Sequence, residues 1–266
     1  MIMTGTPPFE PHRFEYAALH YRAGRIPHPP RLIRRIAEVV GLREGHRVLD
    51  LGSGPGQLAI AFGFFAGEVV GVDPEPQMLT VASNAAQGLT PNVRFREGSS
   101  FDLDPALGRF RLVTMGRSFH WMDRADTLRK LQEMIEPGGA VALFGDHHLD
   151  VLENEWHREW RTVIDHYARD DASHGRRRDP SWLSHERVLL ASPFSHLERI
   201  SVIGRHVSDV ASLIERARSM SSLSRERIGE RLNDLERDLK TLLTRAASDG
   251  MLTEIIEWTV LTGRRD

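Results

Sequence analysis

The chain has 266 residues, of which 40% are hydrophobic and 27% are charged, a composition typical of a globular protein with one substantial core. Its formal net charge is −2. Proteins that grip a phosphate backbone usually carry a basic excess, so we expect no nucleic-acid partner. The chain has no cysteine, which excludes disulfides, thiolate metal ligands and a cysteine nucleophile.

The N-terminal segment carries polar residues and prolines where a secretion signal would carry an apolar core. No stretch of the chain approaches the roughly 20 apolar residues that cross a bilayer. We therefore expect a cytoplasmic protein without a membrane partner. Residues 9–30 are aromatic and basic, which is typical of a short arm or lid, and a proline pair then begins the first helix.

Residues 31–146 alternate between short apolar strands and helices. The strands are predicted at residues 47–51, 69–72, 93–96, 112–115 and 140–144. Since strands that alternate with helices at this spacing are joined by right-handed crossovers, the fold class is α/β, with a doubly wound, mostly parallel sheet and helices on both faces.

The second half of the chain has a looser pattern. Two late strands are predicted at residues 197–205 and 250–265, which brings the sheet to seven strands. Residues 147–196 and 206–249 are predicted to form a helical cap that roofs the active site. We expect the whole chain, 1–266, to be a single domain whose cofactor-binding core is 31–146.

A glycine-rich turn follows the first predicted strand, in the sequence VLDLGSGPG. Gly52, Gly54 and Gly56 allow the backbone to bend sharply and approach a ligand closely. A dinucleotide-binding turn would place its third glycine where this chain has Gln57. The carboxylate of Asp50 would repel a pyrophosphate, but it suits a ligand that bears an ammonium and a sulfonium group.

Asp73 ends the second predicted strand, in the sequence VVGVD. Nucleotide-binding α/β folds place an acid at this position, where it accepts hydrogen bonds from both ribose hydroxyls. The alternative is a helix N-cap in front of Pro74. Together with the glycine turn, the position of Asp73 predicts a nucleoside site.

Five blocks of sequence carry a resemblance to a known family, namely VLDLGSGPGQLA (48–59), VVGVDPEPQML (69–79), REGSSFDL (96–103), FRLVTMGRSFHWMD (110–123) and EPGG (136–139). Residues 16–146 resemble the class I S-adenosylmethionine-dependent methyltransferases, and within them the trans-aconitate-type and natural-product group. The resemblance implies a seven-stranded sheet with its last strand antiparallel, S-adenosyl-L-methionine as the cofactor and a small-molecule methyl acceptor.

The resemblance also implies roles for single residues. The residues that would wrap the methionine part of the cofactor are Gly52, Ser53, Gly54 and Gly56. Asp50 would lie near the amino group of the cofactor. Asp73, followed by Pro74, would hold the ribose, and Met78 would pack on the adenosine.

Two further segments fall at cofactor positions of the family. Ser99 and Ser100 would read the adenine edge, and Ser99 replaces the acid that is common there. Gly116 and Arg117, at the end of the fourth strand, would contribute to the sulfonium region.

The arm also departs from the family, which has a Tyr-Arg-Pro opening where this chain has Tyr21, Arg22 and Ala23. The resemblance implies that Tyr21 and Arg22 lie at the cofactor, with Arg22 as a clamp for its carboxylate.

Methyl transfer from a sulfonium is an in-line displacement, and a general base is needed only when the nucleophile arrives protonated. His120, after the fourth strand, is the first candidate for the base, the alternative being a structural histidine. His147 and His148 follow the fifth strand, and we expect one of them, with His147 as the choice, to contact the acceptor. No metal site is expected, because the histidines and acids lack a recognisable ligand spacing.

The basic run at residues 176–178 either attracts an anionic acceptor or forms a solvated surface. Trp156 and Trp160 have the spacing of a helix face that packs in a core.

The leading hypothesis is a methyltransferase that acts on an oxygen, nitrogen or carbon atom of a small molecule. The first alternative is a methyltransferase of nucleic acid or protein, although the Asp/Asn-Pro-Pro-aromatic run and the glutamate pair that such enzymes use are absent. The second is a catalytically silent protein that binds S-adenosylmethionine. An NAD-dependent oxidoreductase is disfavoured by the position of the third glycine.

Overall fold

A computed structural model describes residues 10, 13–14, 20–21 and 24–265 of the chain. Most of the predicted N-terminal arm, including Arg22, lies outside the described residues. No helix in the described ranges is long and apolar enough to cross a membrane.

Seven strands form one sheet in the order β3-β2-β1-β4-β5-β7-β6. Their bounds are β1 Arg47–Leu51, β2 Glu68–Asp73, β3 Val93–Glu97, β4 Phe110–Gly116, β5 Ile135–His148, β6 His196–Asp209 and β7 Met251–Arg264. The first five strands pair in parallel, whereas β7 is antiparallel to both of its neighbours, β5 and β6. The predicted fold class is therefore confirmed, including the antiparallel last strand.

Helices cover the sheet and form the cap. Their bounds in the described residues are α1 Pro30–Val39, α2 Gln57–Gly63, α3 Pro76–Ala86, α4 Arg124–Met134, α5 Glu155–Ala168, α6 His185–Leu190, α7 Val210–Arg218, α8 Arg225–Ile228 and α9 Arg231–Ala246. Prolines begin α1 and α3, where the missing N–H is not needed. The side chain of Asp123 caps α4 by accepting a hydrogen bond from the Asp126 N–H.

Alternate residues of the central strands enter two hydrophobic cores. Val48 and Leu112 pack on one face of the sheet, against α1 and α2, while Leu49 and Val113 pack on the other, against α4. This division follows from the strand geometry, in which successive side chains point to opposite faces. A parallel sheet buried on both faces therefore accounts for the continuous apolar runs of these strands.

A third core holds the cap together. Trp160 and Ile164 of α5 are buried against leucines of α7 and α9, among them Leu213 and Leu239. The helical spacing of Trp160 therefore reflects packing. Since β6 and β7 pair along their full length of 14 residues, their outer ends reach beyond the parallel strands and connect with these helices.

The predictions near β5 were wrong in two respects. Strand β5, predicted to begin at residue 140, begins at Ile135, and a register shift between Phe110 and Leu112 of β4 accommodates the added residues. His147 and His148, expected in a loop, are the last residues of the strand. Their extended backbone results from antiparallel pairing with β7, which a local sequence pattern does not show.

Candidate active site

A cavity of about 820 Å³ lies between the carboxyl ends of the parallel strands and the helical cap. The sheet contributes Gly52 after β1, Asp73 at the end of β2 and Gly116 at the end of β4. The cap contributes Trp160 and the basic segment 176–178. Ligands of open α/β sheets bind at this edge, so the cavity is the candidate active site.

The glycine turn after β1 uses left-handed backbone at all three glycines. The φ angles are +70° at Gly52, +51° at Gly54 and +80° at Gly56. A Cβ atom on Gly52 would lie 2.5 Å from Cβ of Ser118, and one on Gly56 would lie 2.7 Å from the Phe95 ring. A Cβ on Gly54 would meet no atom within 4 Å. Two glycines thus allow close packing, whereas Gly54 borders open space.

Asp73 is buried and links the glycine turn to the cavity. One carboxylate oxygen accepts a hydrogen bond from the Gly54 N–H at 2.7 Å, and the other accepts one from the Glu75 N–H at 3.0 Å. Burial raises the pKa of Asp73 to about 6, although these backbone hydrogen bonds lower it. A carboxylate offers about four acceptor positions, so two remain for a ligand. The neighbours Pro74 and Met78 line the same cavity.

Asp50, expected near the amino group of the cofactor, does not line the cavity. Its carboxylate accepts hydrogen bonds from the Ala59 N–H at 3.0 Å and from the Thr114 hydroxyl at 2.8 Å. Burial raises the pKa of Asp50 to about 7. The residue therefore ties the start of α2 to β4 beneath the glycine turn. Ser53 and Gly56 are likewise absent from the cavity wall.

Ser99 and Ser100 line the cavity after β3. The Ser99 N–H donates a hydrogen bond to Asp102 at 2.7 Å, and its hydroxyl donates to the same carboxylate oxygen. An acid three residues further along the loop is thus held against Ser99, the position where the family commonly carries its acid.

Arg117 lines the cavity beside Gly116 and has a φ of +55°, which is uncommon for a residue with a Cβ. Its guanidinium donates hydrogen bonds to the Asp146 carboxylate and, at 2.9 Å, to the Ile26 carbonyl oxygen. Burial of Asp146 raises the pKa of its carboxyl group. The charge of Arg117 outweighs that effect and holds this pKa below its usual value. The charge of Arg117 is therefore already matched.

His120 lies on the cavity wall in a short 3₁₀-helix, Phe119–Trp121. Its imidazole makes no hydrogen bond in the described part of the chain, and its ring lies 5.0 Å from the ring of Trp121. Burial, followed by the charge of Arg177, lowers the pKa of His120 well below the usual value. The imidazole is thus neutral near pH 7.

The structure separates His147 from His148. The side chain of His147 is 56% exposed, pairs with Glu257 at 3.2 Å and does not line the cavity. His148 does line the cavity, and its Nε2 lies 2.7 Å from a carboxylate oxygen of Glu254. The ring of His148 stacks on that of His157 with 3.6 Å between centroids. The prediction of a histidine at this strand end is therefore corrected from His147 to His148.

The partners of His148 were missed by sequence reasoning. Glu254 is fully buried and is bound by Arg216 through both carboxylate oxygens and by the Ser208 hydroxyl at 2.6 Å. Although burial raises the pKa of Glu254, hydrogen bonds from His148 and Arg216 bring it to about 2. The sequence does show an acid within an apolar strand, in the run LTEII, and this was the available signal for a buried, paired Glu254. The partners of that acid depend on the register of β5, β6 and β7.

Of the two arm residues, only Tyr21 is described, and it lines the cavity under the guanidinium of Arg25, whose carbon lies 4.8 Å from the ring centroid. Among the described residues, no group of three His, Asp or Glu side chains is arranged to hold a metal ion.

A glycine turn after the first strand of a parallel sheet, an acid at the end of the second strand and a cavity above both define an enzyme with the class I methyltransferase fold. The known proteins agree. A family model described as a methyltransferase domain matches residues 48–139. An uncharacterized methyltransferase of Mycobacterium tuberculosis is 27% identical over 227 residues, which are 85% of this chain and 84% of that protein.

Two further similarities concern the cofactor-binding half and the fold. Erythromycin 3''-O-methyltransferase of Saccharopolyspora erythraea is 32% identical over 131 residues, or 46% of this chain and 42% of the relative. A methyltransferase structure from Thiobacillus denitrificans, in complex with S-adenosyl-L-homocysteine, aligns with a TM-score of 0.55 and 18% identity over 97% of this chain and 99% of that one. Residues 48–139 of this chain thus form a methyltransferase domain, and the chain has the fold of the class I S-adenosylmethionine-dependent methyltransferases.

Proposed function

We propose that this methyltransferase acts on an oxygen, nitrogen or carbon atom of a small-molecule acceptor that is enclosed between the sheet and the cap. The observation that carries the proposal is the cavity of about 820 Å³, in which the glycine turn and Asp73 face the cap. This volume lies within the range of small-molecule sites, roughly 300–1,000 Å³. The erythromycin-modifying relative is consistent with a small acceptor and with a role in secondary metabolism.

S-adenosyl-L-methionine, the proposed cofactor, fits one side of this cavity. Gly54 borders open space, which leaves room for the methionine part, and Asp73 retains acceptor positions for the ribose hydroxyls. Met78 lines the wall next to Asp73, where it would pack on the adenosine. We assign the adenine edge to Ser99 and Ser100, which follow β3 on the same wall.

In this proposal, different segments of the domain bind the cofactor and the acceptor. We assign residues 31–146 to the cofactor and the cap segments 147–196 and 206–249 to the acceptor. Cap residues such as Trp160 and Trp182 line the cavity opposite the sheet and would exclude water around the reacting atoms. Tyr21 lines the same wall, while the role proposed for Arg22 concerns a residue outside the described ranges.

Bound S-adenosylmethionine supplies a methyl group that is already activated, so the protein's task is to position the acceptor and, where necessary, to accept its proton. The neutral imidazole of His120 serves that purpose on the cavity wall. The backbone of Gly116 and Arg117 borders the same region at the end of β4. Since the guanidinium of Arg117 is held by Asp146, its side chain shapes the site and adds little free charge.

Calorimetry with S-adenosylmethionine, S-adenosylhomocysteine and NAD tests the cofactor site. We expect the first two to bind and NAD not to bind. Asp73→Ala should weaken S-adenosylhomocysteine binding at least tenfold, because hydrogen bonds to a charged acceptor contribute roughly 1.5–3 kcal/mol each. The exposed Asp104→Ala is the matched control. Unchanged affinity of a folded Asp73→Ala protein would remove the ribose role.

A further inference from the structure

Nine arginines line the cavity in the described part of the chain, and five of them pair with carboxylates. The other four form no ion pair with any described residue, and they are Arg25, Arg161, Arg176 and Arg177. Arg25 and Arg176 are half-buried, where an unpaired charge is unfavourable, whereas Arg161 and Arg177 are exposed on the cavity wall. The four side chains thus leave positive charge on this wall that no described acid pairs with.

The donors of this set have unused hydrogen-bonding capacity. Arg25 donates one hydrogen bond, to the Ser219 carbonyl oxygen at 3.2 Å, while its buried Nε has no partner. A buried terminal nitrogen of Arg176 also has no partner. The guanidinium groups of Arg161 and Arg177 make no hydrogen bond within the described residues, although both line the cavity.

Arg25 and Arg177 act electrostatically on His120, and Arg161 acts on Arg177, and all three arginines line the same cavity. Burial lowers the pKa of Arg177, the nearby Asp146 raises it, and the charges of Arg161 and Arg25 lower it again. Arg25 and Arg177 also lower the pKa of His120, after burial. The single acid among these neighbours, Asp146, is already bound by Arg117. The cluster thus carries excess positive charge beside the proposed base.

We propose that Arg25, Arg161 and Arg177 form an oxyanion subsite, so that the acceptor of this enzyme is a small acid whose carboxylate or phosphate group binds there. The inference rests on the proposed function and names its substrate class. Guanidinium groups bind planar oxyanions through two parallel hydrogen bonds, which gives direction as well as charge. An acid held in this way would present its remaining atoms to His120 and to the cofactor side of the cavity.

The competing occupant is the carboxylate of the cofactor itself. That group belongs to the sheet side of the cavity, where Gly52 and Gly54 lie, whereas Arg161 and Arg177 come from the cap. The two possibilities differ in what each arginine variant changes: the affinity for the acceptor's acid group or the affinity for the cofactor.

The test uses the full chain saturated with S-adenosylhomocysteine and titrated in a calorimeter with benzoate, citrate, phenyl phosphate and the neutral benzamide. We expect at least one anion to bind at least tenfold more tightly than benzamide, and the preferred anion to distinguish a carboxylate from a phosphate site. Arg161→Gln and Arg177→Gln should each weaken that binding about tenfold without changing the affinity for S-adenosylhomocysteine.

The matched control is Arg169→Gln, which removes an exposed arginine just after α5 that pairs with Asp170 and does not line the cavity. It should bind the anion as the parent protein does. Anions no better than benzamide, or a loss of cofactor affinity equal to the loss of anion affinity in Arg177→Gln, would overturn the inference. Failure of S-adenosylhomocysteine to bind the parent protein would instead overturn the proposed cofactor site.

Discussion

Two histidines on the cavity wall differ in how the protein holds them. His120 is kept neutral by burial and by nearby arginines, and it has no hydrogen-bond partner in the described residues. His148 is oriented by the ionised carboxylate of Glu254, which lies 2.7 Å from its Nε2 atom. The first imidazole thus faces the cavity without a hydrogen-bond partner among these residues, and the second is fixed by a buried acid.

The first prediction concerns the protonation of His120. An ordinary histidine titrates near 6.5. Because burial lowers the pKa of His120, we expect NMR titration to find its imidazole still neutral at a pH where an ordinary histidine is half protonated, and the acid limb of kcat/KM to lie below that pH. His120→Gln should reduce kcat by roughly 10²–10⁴ on an acceptor that must lose a proton. His166→Gln, on the outside of α5, is the control, and a His120 that titrates near 6.5 would contradict the prediction.

The second prediction uses the adjacent pair at the end of β5. His148→Gln should lower kcat at least tenfold, because it removes an imidazole that Glu254 holds on the cavity wall. His147→Gln should leave kcat unchanged, since that side chain pairs with Glu257 away from the cavity. Steady-state kinetics on an acceptor found by screening distinguishes the two variants. Equal losses in both would show that the strand end has only a structural effect.

At the scale of elements, the turn between β1 and α2 depends on its neighbours as much as on its own residues. Gly56 is the left-handed N-cap of α2, and Phe95 of β3 packs directly against it. Asp50 fixes the third residue of α2 and Asp73 fixes Gly54. Strands β1, β2, β3 and β4 therefore all contribute to the shape of the turn.

The third prediction compares two glycines of this turn. Gly56→Ala should lower the free energy of unfolding by about 2–5 kcal/mol, because it combines strained backbone with a clash against Phe95. Gly54→Ala should cost only about 1–2 kcal/mol, since its Cβ meets no atom. That Cβ would enter the space assigned to the cofactor, so S-adenosylhomocysteine binding should weaken. Urea unfolding and calorimetry measure the two effects, and an equal stability loss in both variants would contradict this account.

At the scale of the molecule, one buried ion pair joins the cap to the sheet. Arg216 of α7 binds Glu254 of β7 and donates a hydrogen bond to the Gly24 carbonyl oxygen at 2.9 Å. Glu254 in turn contacts Ser208 of β6 and His148 of β5. The network therefore connects three strands, one cap helix and the segment before α1 behind the cavity wall.

The fourth prediction is that Glu254→Gln lowers the free energy of unfolding by about 3–5 kcal/mol, because it leaves the buried charge of Arg216 without a partner. The matched control is Glu257→Gln, three residues along the same strand, which should change stability by less than about 1 kcal/mol. Since the pKa of Glu254 falls from 4.5 to about 2 on folding, its contribution is complete above pH 4.5 and is lost between pH 4.5 and 2. Denaturant unfolding at several pH values measures both effects, and a tolerated Glu254→Gln substitution would contradict them.

The cofactor-binding half of the fold was predictable from local pattern. Apolar strand runs, helix starts and the glycine turn depend on residues that are neighbours in sequence, so β1 was predicted with its observed bounds. The placement of Asp73 followed from the same order of strand, turn and helix. The incorrect predictions concern strands that pair antiparallel with strands distant in sequence, as at the end of β5.

The sequence alone predicted a nucleoside ligand, because a glycine-rich turn and an acid at a strand end are local features with the same physical role in many parallel sheets. Only the tertiary structure decided which polar groups share the cavity. Glu254 meets His148 through the register of β5 and β7, and Arg25 and Arg177 line the same cavity because the cap folds back over the sheet. Such contacts depend on pairing across more than a hundred residues, which periodicity does not encode.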